Sequence, residues 1–458
     1  MKLKGIKFQT QLIKHLESNR QDAINLGAIS EQKGKKMLPS RRTFNYFMQE
    51  RLTKEIWGII DFAVERIKET AIKRGMLLDF AVIEEKQKRS SKRTFFRKKQ
   101  RKLRETCKLM RKAIYPMVNL DIAHNSVYKK SDFLDLITHV ALTHDFTENG
   151  SATFNLTKKG PNGDTLLYHI KKYRHRMPME EMFKRVFDMT FEMAKKSGFL
   201  NRPMELAIDY TDILYYGDSH DYMVLGTKPQ KGTCYAYKFA VVSIVTNGER
   251  FILYALPVSP ETKKVQVVRD LIEYAKSKVR IKRVYMDRGF FGGEVIDFLN
   301  RKRIEFIMPA TRSWRIKRIM DERGAPYVTD YKMRNEWLKY TTWFKLAIVK
   351  SSKDSKKYAF ATNMDITENN SFLLFDYYDR RWGVETAFRV KESFRARTTS
   401  KNYIIRLFYF MFSTVLYNLW VIVNAMLCMF LFGSLRDKPI VTAKIVGTLL
   451  YMIEGGIP

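Results

Sequence analysis

The spacing of apolar positions changes character twice along this chain. Between residues 44 and 74, FNYFMQERLTKEIWGIIDFAVERIKETAIKR, the positions Phe47, Leu52, Ile56, Ile59, Ile60, Val64 and Ile67 recur at helical spacing and predict one amphipathic helix. Residues 131–145 (SDFLDLITHVALTHD) and 164–173 (DTLLYHIKKY) predict two short helices, with Asp164 as the N-cap of the second after the turn GPNG. That pair fits either an ordinary helical hairpin or a helix-turn-helix with a basic tip. A further helix at 178–198 is closed by Gly198.

From residue 204 the pattern turns to strands. MELAID is a short apolar run ending in Asp209. CYAYKFAVVSIVT and RFILYALPV flank Asn247-Gly248, the strongest short hairpin signal. Residues 261–279 return to helical spacing through Val265, Val268, Ile272 and Ala275. The strand IKRVYMD then ends in Asp287, and a Gly-rich turn, a helix at 293–302 and the strand IEFIMPA follow. This order predicts a mixed α/β sheet with both aspartates at strand C-terminal ends, where sites collect in such sheets. Residues 311–362 contain the strand-like runs WLKYTTWFKLAIVKSS and KKYAFATN and read as a β-rich insertion. DYYDRRWGVETAFRVKE at 376–392 is expected as one helix. At about 100° per residue, Glu385, Arg381 and Tyr378 then share a face. Residues 407–433 carry no charge and are long enough for a bilayer. Ser413, Thr414, Asn418 and Asn424 interrupt the run, so a buried core helix is expected rather than a membrane span.

Charge supplies the partner. The 458-residue chain has 83 basic and 48 acidic residues, a net charge of +35, and a long polyanion is the natural counterpart. Residues 86–112 alone hold fourteen Lys or Arg against Glu105, with Phe95 and Phe96 inside the run. Arg97, Lys98, Lys99, Arg101 and Lys102 are therefore expected on the DNA backbone; a merely solvated basic helix is the alternative. The three cysteines, Cys107, Cys234 and Cys428, show neither disulfide nor zinc spacing, which suits a reducing cytoplasm. MKLKGIKFQTQLIKHLE lacks the apolar core of a signal peptide, so a cytoplasmic, nucleoid-associated protein is expected.

Asp209, Asp287 and Glu385 have no histidine or cysteine company. All-carboxylate sets suit hard cations, Mg²⁺ or Mn²⁺. Two such ions about 3.5–4 Å apart serve phosphodiester chemistry. There is no GxxxxGK[ST] phosphate loop, and GFFGG is too short for a dinucleotide fingerprint.

Together these residues resemble the DDE transposases of insertion sequences, on a ribonuclease H-like fold. The likeness is to the group with a Tyr-x2-Arg-x3-Glu-x6-Lys signature and a β-strand insertion before the last acid. Tyr378, Arg381 and Glu385 keep that spacing, VYMDRGFF resembles the second-aspartate motif, and Asp209-x-Thr211 resembles the first. The likeness covers roughly residues 200–425. One position departs: 392 is Glu392, and the lysine falls at Lys391. Arg389, on the face of Glu385, is the rival phosphate contact.

The resemblance implies a transposase that cuts DNA at an element's ends and joins the 3′-hydroxyls to target DNA. It implies Asp209, Asp287 and Glu385 as ligands of two Mg²⁺. Tyr378, Arg381, Lys391 or Arg389, and Arg288 would contact DNA, and the protein would act as a homodimer on paired terminal inverted repeats. The expected organisation is a basic helical DNA-binding region at 1–125 and a helical region at 126–200. A ribonuclease H-like core follows at 201–310 and 363–400, broken by the insertion at 311–362, with a helical C-terminus at 401–458. A stand-alone two-metal nuclease and a non-catalytic DNA-binding protein are the alternatives.

Overall fold

The computed structural model describes Leu16 and residues 30–32, 35–37, 40–73, 92–198, 200, 202–246, 250–335, 340–351, 356–436 and 438–453. The chain divides into two compact units, Met1–Thr94 and Phe95–Pro458. In the first, β1 (Ser30–Gln32) pairs antiparallel with β2 (Lys35–Met37). The single helix expected over 44–74 is broken. α1 (Arg41–Tyr46) passes through a π-helical turn at Phe47–Arg51 and an extended Leu52 before α2 (Lys54–Lys73). The start of the basic run, 86–91, lies outside the described residues.

The basic helix α3 (Lys92–Ile114) belongs to the second unit from Phe95 onward. Leu103, Cys107, Met110 and Ile114 bury its inner face, and Arg97, Lys98, Arg101, Arg104 and Lys108 are exposed on the other. The expected pair of short helices is a trio: α4 (Lys130–Thr143), α5 (Thr147–Asn155) and α6 (Gly163–Lys171). The middle helix, TENGSATFN, carries too few apolar residues to show a period. A helix-turn-helix made of the outer two is therefore not what forms. Asn162, not Asp164, is the N-cap of α6, and Asp164 lies in its first turn, where a carboxylate favours the helix dipole. α7 (Arg176–Lys196) closes as expected, with Gly198 at φ +78° in the left-handed region.

The sheet is larger than the sequence suggests. Nine strands form it: β3 (Met204–Tyr215), β4 (Leu225–Gln230), β5 (Thr233–Ile244), β6 (Phe251–Val258), β7 (Ile281–Met286), β8 (Glu305–Pro309), β9 (Tyr327–Asn335), β10 (Tyr340–Lys350) and β11 (Lys357–Thr362). The order is β4-β5-β3-β7-β8-β11-β10-β9, with β6 also on β5. β6, β5 and β3 are antiparallel neighbours, while β3, β7 and β8 are parallel. α8 (Lys264–Lys278) and α9 (Gly293–Arg301) make the crossovers. This is the expected ribonuclease H-like arrangement. The β5–β6 pairing is as expected too, although Asn247-Gly248 itself lies outside the described residues. The insertion opens with α10 (Trp314–Glu322), and its strands do not form a separate layer: β11 pairs with β8 and extends the central sheet.

Alternation along the strands gives the sheet two cores. Leu206, Ile208, Val284, Met286, Phe306 and Met308 face the larger one. Ala207, Tyr285, Ile307, Ala347 and Phe360 face a smaller one together with Leu374 of α11 (Leu373–Asp379). Glu205 and Asp209 share the parity of Ala207 and so point to the smaller side.

The uncharged run is α13 (Tyr403–Phe432), a core helix buried along most of its length against α7 and β6. The four polar residues that interrupt the run find partners inside the protein. Ser413 and Thr414 donate to the Phe410 carbonyl, and Asn424 pairs with Ile440 and Val441. Asn418 accepts from the Ile252 N–H at 3.1 Å and donates to the Ile252 carbonyl at 2.8 Å. α14 (Ala443–Met452) ends the described chain and packs on α4.

Candidate active site

Strand register brings the two aspartates together. Parallel pairing of β3 with β7 runs to Ile208 opposite Met286, so Asp209 and Asp287 occupy the next position on neighbouring strands. Such strands lie about 4.8 Å apart. β3 continues to Tyr215, so Asp209 is mid-strand rather than at a strand end as expected; it stands where the parallel pairing stops.

The third acid comes from a helix that is not continuous. Instead of one helix over 376–392 there are α11 and α12 (Trp382–Glu392). Between them the N–H groups of Arg380, Arg381 and Gly383 bond three residues back, to Tyr377, Tyr378 and Arg380. This tightened turn aims both arginines at β3. Arg381 donates to Asp209 at 2.8 Å and to Glu385 at 2.8 Å, and its guanidinium lies 5.4 Å from the Tyr378 ring centroid. The expected Tyr378–Arg381–Glu385 stripe is therefore present, with the guanidinium bridging two of the three acids.

Burial governs the electrostatics. It pushes the Asp209 carboxyl up to about 6; Arg381 opposes the shift, and the Asp287 and Glu385 charges add to it. The Tyr378 phenol is likewise pushed up to about 12 by burial. Asp287 Oδ1 is buried without a hydrogen-bond partner among the described residues. A Cβ at Gly289 would stand 3.0 Å from that oxygen, so glycine keeps the space beside the carboxylate clear. Tyr210, on the larger-core side of β3, stacks on Phe290 at 4.3 Å just after Asp287.

These groups fit a hard divalent cation. All donors are carboxylate oxygens, one is buried and unpartnered, and a second is desolvated. Among the described residues no three side chains of the ligating types already converge on one point. Arg381 sits between Asp209 and Glu385 and supplies the positive charge there.

Residues 201–419 match the family model described as the transposase DDE domain. The chain carries a transposase DDE domain. It is an enzyme of that class, and the domain spans the sheet, the bridged carboxylates and most of α13. Among solved structures, the piggyBac transposase synaptic complex with hairpin DNA is similar at 13% identity and a TM-score of 0.48. That match covers 76% of this chain and 77% of the other. The catalytic domain of human endonuclease V is similar at 9% identity and a TM-score of 0.22, covering 45% of this chain and 89% of that one. No curated protein sequence matches.

Around the DDE site the remaining expected contacts divide. Arg288 and Arg389 are exposed. Lys391 is not: its side chain is fully enclosed, with the ammonium 4.0 Å from the Phe410 ring centroid. Lys391 is not brought round to the face of Glu385, because α12 runs regularly to Glu392. Lys391 thus faces the core, and the expected backbone contact is not open to it in this conformation. Of the five basic positions on α3, Arg97, Lys98 and Arg101 are exposed. Lys99 donates to the Ile440 carbonyl at 3.2 Å, and Lys102 lies 5.2 Å from the Phe430 ring centroid.

Sequence reasoning missed one pair. Arg380 donates to Glu205 at 2.5 Å, four residues before Asp209 on the same face of β3. Two consecutive arginines therefore clamp two acids of one strand. The Arg380-Arg381 doublet was visible, but only the broken helix lets both face β3.

Proposed function

We propose that this chain cuts DNA at the ends of its mobile element and transfers the freed 3′-hydroxyls to target DNA. The observation that supports the reading is the bridge that Arg381 makes between Asp209 and Glu385, with Asp287 at the matching position on the neighbouring strand. Asp209, Asp287 and Glu385 would hold two Mg²⁺, with Mn²⁺ as a substitute. Bound there, the ions supply an activated water or 3′-hydroxyl and neutralise the leaving oxygen. The chain's own residues do the rest. Asp209, whose remaining proton passes to solvent when a cation binds, would release its share of Arg381. The freed edge of the guanidinium then faces a phosphate oxygen, a geometry suited to paired charge-assisted hydrogen bonds. Tyr378, protonated at neutral pH, donates from the end of α11 beside Arg381. Exposed α3 residues hold the duplex, and two copies work on paired ends.

Single-turnover nicking of end-containing DNA with Mg²⁺ tests this. Asp209→Ala, Asp287→Ala and Glu385→Ala should each abolish nicking while DNA affinity stays within a few-fold, since affinity comes from the basic surface. Near-normal nicking by any one of them would remove that residue from the site.

A further inference from the structure

Beyond the carboxylates opens a cleft of about 870 Å³. It lies between the far end of β3, the hairpin tip at Gln230 and Lys231, the loop between Arg395 and Lys401 that leaves α12, and the His144–Phe146 turn. The walls are tied together. Arg397 N–H donates to the Asp145 carbonyl at 2.9 Å, and Phe146 and Arg397 form a parallel β-bridge. Arg406, 6% exposed, donates to the Ser400 carbonyl at 2.6 Å and the Leu214 carbonyl at 3.0 Å.

The charge of this cleft is one-sided. Asp212 is neutralised by Lys238 at 2.7 Å, and Glu392 by Arg395 at 2.7 Å. Lys231, Arg397 and Lys401 are exposed and make no ion pair with a described residue. Lys231 is also held in a disfavoured backbone. With Gly232 it forms the two-residue turn between the paired Gln230 and Thr233, at φ 49° and 83°. Asn-Gly is the usual occupant of such a turn, and a lysine there is sterically opposed. Tyr216 O–H pins the tip by donating to the Lys231 carbonyl at 3.0 Å. Tyr216 and Phe146 are 59% and 41% exposed at the rim.

We propose that this cleft binds a single-stranded stretch of the DNA substrate. Unpaired cations beside exposed rings are the chemistry that takes phosphates and unstacked bases together. The volume is that of a small-ligand pocket, room for about one or two nucleotides and far short of a duplex. The cleft reaches residue 392, seven past Glu385 on α12, about 10 Å at the helical rise. At 3.4 Å per nucleotide this is about three nucleotides from the cut. That placement rests on the DNA-cutting reading above; the single-strand preference does not.

The test uses the full chain and short random-sequence duplexes, blunt or carrying an oligothymidine tail. The tail should tighten binding by the unmodified chain about tenfold, the scale of one base–aromatic stack. The combined variant Lys231→Ala, Arg397→Ala, Lys401→Ala should lose that gain yet hold blunt duplex within about twofold. Its salt slope on tailed DNA should fall by about 1, at roughly 0.7 for each of the one or two single-strand phosphates left without its cation. Lys401→Glu, one exposed change, should act in the same direction if the combined variant melts early. Equal binding of tailed and blunt DNA by the unmodified chain, or a full tail gain in both variants, overturns the cleft assignment and leaves the cutting reading standing. Failure to bind either DNA overturns both.

Discussion

Asp209 feels the conflict in the site most directly. Burial raises its carboxyl from 3.8 to about 6, which favours the protonated form in the metal-free fold. A carboxyl raised in this way contributes stability that is present below its unfolded value and lost as pH rises through about 6. A shift of this size corresponds to about 3 kcal/mol. The melting temperature of the metal-free chain should therefore fall between pH 5 and pH 7, and Asp209→Asn should flatten that fall. Mg²⁺ should raise the melting temperature more at pH 7 than at pH 5. Matching pH profiles for the two proteins would show that Asp209 does not titrate in this window. Lys391 is the opposite case: burial pushes its amine down to about 7, so the stability tied to its neutral form is lost as pH falls through 7. Lys391→Met should stabilise the chain, more at pH 6 than at pH 9, and nick DNA within a few-fold of normal. Arg389→Ala, with its exposed side chain gone, should slow nicking on the order of 10²-fold. A nicking defect in Lys391→Met as deep as in Arg389→Ala would mean the lysine leaves the core when DNA binds. Spacing was enough to bring Tyr378, Arg381 and Glu385 near one another. The burial of Lys391 was hidden, because it depends on Phe410, nineteen residues further on.

Elements were legible where they are apolar and obscure where they lie at an edge. β10 and β11 alternate against two cores, so their pattern stood out. β9 (YVTDYKMRN) and β4 (LGTKPQ) are edge strands rich in charged or polar residues, as open edges usually are, and gave no strand signal. The break between α11 and α12 carries no proline and could not be read from spacing. Its consequence is the Arg380–Glu205 pair, which fixes how α12 lies across β3. Glu205 is 1% exposed, and Arg380→Ala would leave its charge buried beside only Lys282 at 3.8 Å. The expected loss is about 3 kcal/mol in chemical denaturation. The nicking rate should fall about 10²-fold as Glu385 is displaced, with DNA affinity unchanged. Arg380→Lys should restore part of the rate. A stable Arg380→Ala protein that nicks at the normal rate would make the pair incidental.

For the whole molecule, composition named a polyanion before any motif did, and the exposed face of α3 is where its charge is presented. Neutralising Arg97, Lys98 and Arg101 should lower the salt slope of duplex binding by about 0.9 for each phosphate that no longer meets a cation. Neutralising Lys99 and Lys102, which face the C-terminal helices, should change the slope less and the melting temperature more. An equal fall in slope from both sets would mean that the division of α3 into two faces is wrong. The sheet sets a different limit on assembly. An open strand is a template on which another chain can pair, and uncapped edges lead to aggregation. On β6 that template is blocked at Ile252, because the Asn418 amide already holds both its N–H and its carbonyl, as a neighbouring strand would. A second copy cannot lengthen the sheet at that point by backbone pairing; partnership there has to be made by side chains, which can be specific where strand addition is not.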